Sequence, residues 1–390
     1  MAGFYYCQAL CTIYFLEVYQ MKILIIKLRS VGDVLLVTPL IKNLKLNHLN
    51  LFIDVLVNAG TPGKGTSEIL LGNLNINNIV EYNREKISSM PLLKKIKEEF
   101  SFLMKLRSTK YDVVINLDNS ERGAYIAFYS GASIRIGLNN KPYIDRIYNR
   151  HLKAQNNHHT VDFNLQPLGL LGLKIFNKTV EVFWSDTDNV YVAKKLEDTD
   201  IYSTTSFIHI HPSSRGVEKC IKNELMAQII DYCELELNLK AVLTAAPLKD
   251  EMERVSDILR LCKSSPVNMS GKLTLLQTAA LNKKARLFIG VDTAIMHISA
   301  ANDTPVLAFF GPTAVDNWGP WDNNAMESLH DRKKGFQEIG KHRIYTEKRD
   351  CLPCSKNGCN NSLISDCLMD LDIGFITNQI KDMASENLNS

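Results

Sequence analysis

Along most of the chain, short unbroken apolar runs alternate with stretches whose apolar positions recur every three to four residues. KILIIK (22–27) is followed by residues 33–46, with Val34, Leu35, Val37, Leu40, Ile41 and Leu44 at helical spacing. The same unit returns as LFIDVLV (51–57) with a short helix over 68–74, NNIVEY (77–82) with a basic helix over 91–107, and YDVVINL (111–117) with a helix over 121–130. Residues 139–158 are polar and Asn-rich and read as a loop, 160–172 as a helix, and 179–206 as a crossing into a second domain. The alternation then restarts, with strands at 206–212, 239–246, 266–271, 285–291 and 305–311, the last clear one. Helices follow at 222–236, 249–262, 273–283 and 293–301, and a terminal helix at 370–386. Apolar strands alternating with helices predict parallel sheets covered on both faces. The expected fold is α/β, with two Rossmann-like doubly wound domains facing a central cleft. The expected boundaries are 1–20 for an extension outside the fold, 21–178 and 179–369 for the domains, and 370–390 for a C-terminal helix crossing back to the first domain.

A length of 390 residues is too great for one ordinary core and fits two. With 45% hydrophobic and 22% charged residues, the chain is neither disordered nor a multi-span membrane protein. The net charge of +3 conceals a split: residues 21–178 carry 22 Lys and Arg against 12 Asp and Glu, whereas 179–390 carry 23 against 29. A basic first half implies either an anionic partner, with Lys94, Lys95, Lys97, Lys141, Arg146 and Arg150 supplying many of the charges, or an uneven solvated surface. No zinc finger, RNA-recognition motif or basic helix run points to nucleic acid. Residues 1–20 are apolar and aromatic, without the basic start of a secretory signal, and Glu17 interrupts them. Met21 opens a natural-looking start. The expected location is cytoplasmic, with peripheral contact at the inner face of the inner membrane as the alternative role for the extension.

The candidate chemistry lies in loops after strands, where open α/β sheets bind ligands. Ser30-Val31-Gly32-Asp33 follows the first strand; Gly32 permits a tight turn, and Asp33 reads either as a helix N-cap or as a general base. His211-Pro212-Ser213-Ser214-Arg215, with Lys219, opens the second domain and suits a phosphate, or is a turn with a solvated Lys. Gly290-Val291-Asp292-Thr293-Ala294-Ile295-Met296-His297 places free backbone N–H groups at a helix start, suited to a diphosphate. Asp292 is there a sugar contact or a cap, and His297 points to cleft or core. Phe310-Gly311-Pro312-Thr313, with Trp318 and Trp321 behind it, is a turn or a loop beside a nucleotide base. No GxGxxG follows any strand, no P-loop pattern is present, and no DxD-like metal site is evident at these loops. Cys351, Cys354, Cys359 and Cys367 lie within 17 residues and read as a structural zinc site, free thiols or disulfides.

MKILIIKLRSVGDVLLVTPL resembles the start of the lipopolysaccharide heptosyltransferases, glycosyltransferase family 9, and FIGVDTAIMHISAANDTPVLAFFGPT resembles their donor-site signature. The resemblance implies the GT-B fold and transfer of heptose from ADP-heptose to the inner core of lipopolysaccharide, with inversion and no required cofactor. It makes Asp33 the catalytic base and Lys219 the contact to the donor phosphates. Ser213, Ser214, Asp292, Thr293, Ala294, His297, Gly311 and Thr313 form the donor loops, and Gly32, Arg29 and Arg122 lie on the acceptor side. Two positions depart from the pattern: Ala294 stands for the usual Gly, and Ile221 for an aromatic residue. The alternatives are a transferase of the same fold using another nucleotide sugar or a protein acceptor, or a non-catalytic ADP-sugar binding protein.

Overall fold

The computed structural model describes residues 20–60, 65–154, 158–202 and 205–386. The expectation for the extension, Gln20 apart, lies outside the described residues. The chain divides into two compact units, residues 1–154 with 163–178, and 155–162 with 179–390.

The first unit is built on one parallel sheet. Its strands are β1 (Lys22–Lys27), β2 (Phe52–Asn58), β3 (Asn78–Tyr82), β4 (Val113–Asn116), β5 (Ile134–Gly137) and β6 (Arg150–His151), in the spatial order β3-β2-β1-β4-β5-β6. The order reverses at β1, between β2 and β4, with Ile25 in register with Val55 on one side and Ile115 on the other. Ile23 to Ile26 are buried because helices cover both faces of a central parallel strand. The periodic stretch 33–46 is two helices rather than one, Val31–Leu35 and Thr38–Asn47. Pro39 explains the break: it has no N–H and restricts the residue before it, so it suits the first turn of a new helix. The loop expected over 139–158 contains a short helix, Pro142–Asp145, and β6. Segment 163–178 is tied to this unit by Asn43, whose amide donates to the Asn177 carbonyl at 2.7 Å and accepts from Phe176 N–H at 2.6 Å.

In the second unit the strands are β7 (Phe207–His211), β8 (Lys240–Leu243), β9 (Val267–Asn268), β10 (Leu287–Val291), β11 (Val306–Phe310), β12 (Gln337–Ile339) and β13 (His342–Thr346). Their order is β12-β13-β11-β10-β7-β8-β9, parallel except for the β12–β13 hairpin. PVLAFFG is therefore not the last strand: β13 pairs with β11 in parallel register. It escapes notice because His342, Arg343 and Thr346 leave HRIYT no apolar run, Arg343 being drawn into contacts with Gln379 and Glu386. The crossing segment likewise holds a helix, Asp186–Glu197, started by a capping box between Ser185 and Asp188. The terminal helix Ile373–Glu386 buries Ile376, Ile380 and Met383 in the core of the second unit, beside Ile229 and Ile230. Among the described residues no helix is long and apolar enough to cross a membrane.

Both sheets have the doubly wound order, and the two domains together are those of the GT-B fold. The second unit also buries an unusual set of histidines. Burial lowers His211 to about 4, His330 to about 4 and His342 to about 3, and holds His159 and His209 well below the ordinary range. A group depressed on folding contributes stability above its unfolded value, here about 6.5, that is lost as pH falls toward the folded value. Thermal melts should therefore show a falling midpoint between pH 6.5 and pH 4, each such His contributing roughly 1.4 kcal/mol per pH unit. A midpoint constant from pH 7 to pH 5 would contradict the neutral buried state.

Candidate active site

In the first unit, the loop after β1 and the loop after β4 are neighbours because their strands pair. Ser30 occupies the N-cap position of helix Val31–Leu35, so Asp33 is not the cap. Its carboxylate instead accepts from the Ser30 hydroxyl at 2.6 Å and lies 3.7 Å from the Lys27 ammonium, keeping a side-chain exposure of 16%. Gly32 is buried within the same turn. Lys27 is almost wholly buried and donates to the Leu117 carbonyl at 3.3 Å.

Asp118, from the β4 loop, completes this group. It accepts from Leu28 N–H, and Arg29 Nε lies 3.4 Å from its other oxygen. Burial pushes its carboxyl up, opposed by Lys27, the Leu28 N–H and Arg29 and reinforced by Asp33. Lys27 thus pairs with Asp33 and acts on Asp118 only through its charge. Lys27 and Asp118 were not among the residues expected from sequence. The available signal was a Lys closing an apolar strand and an Asp two residues beyond VVIN, both at the carboxyl edge. Arg122, expected on the acceptor side, makes other contacts: its guanidinium bonds Glu99 at 2.7 Å and lies over the Tyr82 ring at 4.9 Å.

In the second unit, β11, β10 and β7 are adjacent, so the loops that follow them are neighbours as well. Lys219 ends a short 3-10 turn, Val217–Lys219, and its Nζ is 2.6 Å from Asp292 Oδ2. Asp292 is buried; the N-cap of helix Ala294–Ala301 is Thr293, so Asp292 is paired rather than capping. The Thr293 hydroxyl is buried without a hydrogen-bond partner among the described residues, at the helix end where backbone N–H groups are unsatisfied. Ala294 begins that helix, and His297 lies buried one turn further.

Other expected donor residues are engaged in the fold. Ser213 is buried and donates to Glu251 at 2.9 Å, which also accepts from Ala246 N–H. Ser214 accepts from Gly216 N–H at 3.2 Å. Gly311 is buried against the Cys-rich tail: a Cβ there would lie 2.6 Å from Leu368 and 3.5 Å from Cys367 Sγ. Thr313 is half-buried in the turn beyond. Trp321 packs on His159, with ring centroids 4.9 Å apart.

Cys351, Cys354, Cys359 and Cys367 are free thiols, running from exposed at Cys351 to buried at Cys367. Burial pushes Cys367 up to about 11. Among the described residues, no three or more His, Cys, Asp or Glu side chains are grouped to hold a metal ion, the cysteines included. The Gly311 contact gives Cys367 a packing role in its place.

Residues 100–344 match the model of glycosyltransferase family 9 (heptosyltransferase). The chain belongs to this family. It is 30% identical over 304 residues to lipopolysaccharide heptosyltransferase 3 of Escherichia coli, covering 77% of this chain and 86% of that one. Among solved structures, E. coli ADP-heptose lps heptosyltransferase II superimposes with a TM-score of 0.69 at 17% identity, over 94% of this chain and 99% of the other. E. coli heptosyltransferase WaaC with ADP gives a TM-score of 0.66 at 18% identity, over 94% and 100%. This family 9 protein is thus a glycosyltransferase, a heptosyltransferase of lipopolysaccharide biosynthesis.

The Lys27 group generates a stability prediction for this heptosyltransferase. Asp118→Ala leaves the buried ammonium with less compensation and should cost about 3 kcal/mol in urea unfolding. Asp118→Asn, which can still accept from Leu28 N–H, should cost less. Equal midpoints for wild type and Asp118→Ala would show that Asp33 and the Leu117 carbonyl suffice for Lys27.

Proposed function

We propose that the protein moves heptose from ADP-heptose to the inner core of lipopolysaccharide in one inverting displacement. The observation that carries this reading is the Lys219–Asp292 pair beside the start of helix Ala294–Ala301, with the unpartnered Thr293 hydroxyl between them in sequence. An ammonium, a hydroxyl and unsatisfied N–H groups suit a diphosphate. Asp292 suits the hydroxyls of the attached sugar, and a relative of the same fold was solved with ADP.

In the proposed step, Asp33 takes the proton of an acceptor hydroxyl. The hydroxyl oxygen bonds the anomeric carbon as the bond from that carbon to the diphosphate oxygen breaks. ADP leaves with the electron pair, from the opposite face. Lys219 and the helix N-terminus meet the charge that develops on it. Lys219, 2.6 Å from Asp292, then turns to the phosphate oxygens. Arg29, half exposed beside Asp118, suits the phosphates of an inner-core acceptor, and Gly32 leaves room beside Asp33.

Asp33→Asn should lower turnover by about 10²–10⁴-fold while ADP binding, read by calorimetry, persists. Near-wild-type turnover would remove Asp33 from catalysis. Lys219→Ala and Asp292→Ala should each raise the apparent constant for ADP-heptose or lower turnover in donor saturation kinetics. Unchanged values for both would dislodge the donor from this loop. The step draws on no cofactor, so turnover should survive a chelator. Activity with a different nucleotide sugar alone, or on a protein alone, would replace this donor or acceptor, and absence of any turnover would leave only binding.

A further inference from the structure

Helix Leu92–Ser108 presents two apolar faces. Its inner face is accounted for: Leu106 is buried, and Phe102 and Leu103 pack against the core of the first unit. The second face is open. Leu92 is 71% exposed, Leu93 82%, Ile96 56%, Phe100 64% and Met104 49%. At about 100° per residue, these five side chains fall within an arc of roughly 120° that adjoins the inner face and meets it at Leu103. Arg107 lies on the same arc, and its guanidinium donates to the Tyr129 carbonyl at 3.3 Å. The exposed rings of Phe128 and Tyr129 therefore border the C-terminal end of the stripe.

The charges beyond the Met104 edge of the stripe are mainly basic. Lys97 adjoins it, and Lys94 and Lys105 lie further round the exposed surface. Glu98 lies beyond Lys105, about 120° from the Met104 edge of the stripe by helical geometry, and Glu99, near the Leu92 edge, is paired with Arg122. A phosphorylated sugar would satisfy the lysines but leaves the leucines and Phe100 uncovered. An anionic lipid surface meets both demands, with acyl chains for the stripe and headgroup phosphates for its basic flank.

We infer that helix Leu92–Ser108 docks this protein on an anionic membrane, lying in the interface with Leu92, Leu93, Ile96, Phe100 and Met104 toward the lipid. The inference goes beyond the donor and base assignments and stands without them. Its readout is vesicle co-sedimentation of the full chain, with vesicles of phosphatidylglycerol and phosphatidylethanolamine against pure phosphatidylcholine. The wild type should bind the anionic vesicles and release as salt rises past the screening range. The double variant Ile96→Ser with Phe100→Ser should lower the bound fraction about tenfold. Both residues are exposed, so melting temperature and turnover on a lipid-free core acceptor should stay at wild-type values. Lys94→Glu with Lys97→Glu should also weaken vesicle binding. Absence of wild-type binding, or variants that bind like wild type, would overturn the inference. So would vesicle binding lost on removal of residues 1–20 and kept by the stripe variants. A wild-type dimer in light scattering that the stripe variants dissociate, with vesicle binding unchanged, would assign the face to a second copy and equally overturn it.

Discussion

A parallel strand with helices on both sides takes a polar side chain in its interior only with a buried partner, as Asp54 has Tyr111 and His209 has Thr244, and otherwise leaves such groups to its ends. That constraint governs both units. Ile23 to Ile26 in β1 and Phe288 and Ile289 in β10 are buried on either face of their sheets, so groups with chemistry are displaced to the carboxyl-end loops. The strand order then decides which loops meet. β1 pairs with β4, which brings Asp33 and Asp118 to one edge, and β10 lies beside β7, which brings Lys219 to Asp292.

The cost of charge near these buried edges is met by pairing. Lys27 stands at the end of a central strand and survives there because Asp33, Asp118 and the Leu117 carbonyl surround it. Lys219 is held by Asp292 in the same manner. The groups proposed for the reaction are therefore also structural counterions, and a substitution at one of them alters the field around its partner. Kinetic effects of such variants have to be read beside their unfolding midpoints.

Much of the fold was legible because central parallel strands are continuous apolar runs, and the loops after β1, β7, β10 and β11 could be placed from those runs alone. β6 and β13 were not: β6 has two residues, and β13 opens with His342 and Arg343, the latter spanning to the terminal helix. The split at Pro39 was visible in principle and masked by the helical spacing on either side. At the site, Asp33, Lys219 and Asp292 were legible from position and motif. Asp118 and Lys27 were not, since neither belongs to a loop signature and their proximity depends on the β1–β4 pairing. Ser213 and Gly311 lie in loops that look like ligand contacts, and their contacts with Glu251 and Leu368 were not legible in the sequence.

The border between the units is crossed by the chain more than once. Residues 155–162 belong with the second unit although 163–178 return to the first. His159 stacks on His330 and its Nε2 donates to the Gly319 carbonyl, and Thr160 donates to the Asn317 carbonyl. A fragment beginning at Thr179 would therefore lack a piece of its own interior, exposing Trp321 and the His330 ring where His159 had covered them. A single cut, wherever it falls, leaves at least one unit without a piece of itself, so the pair is better regarded as interlaced along the chain than as two modules joined end to end.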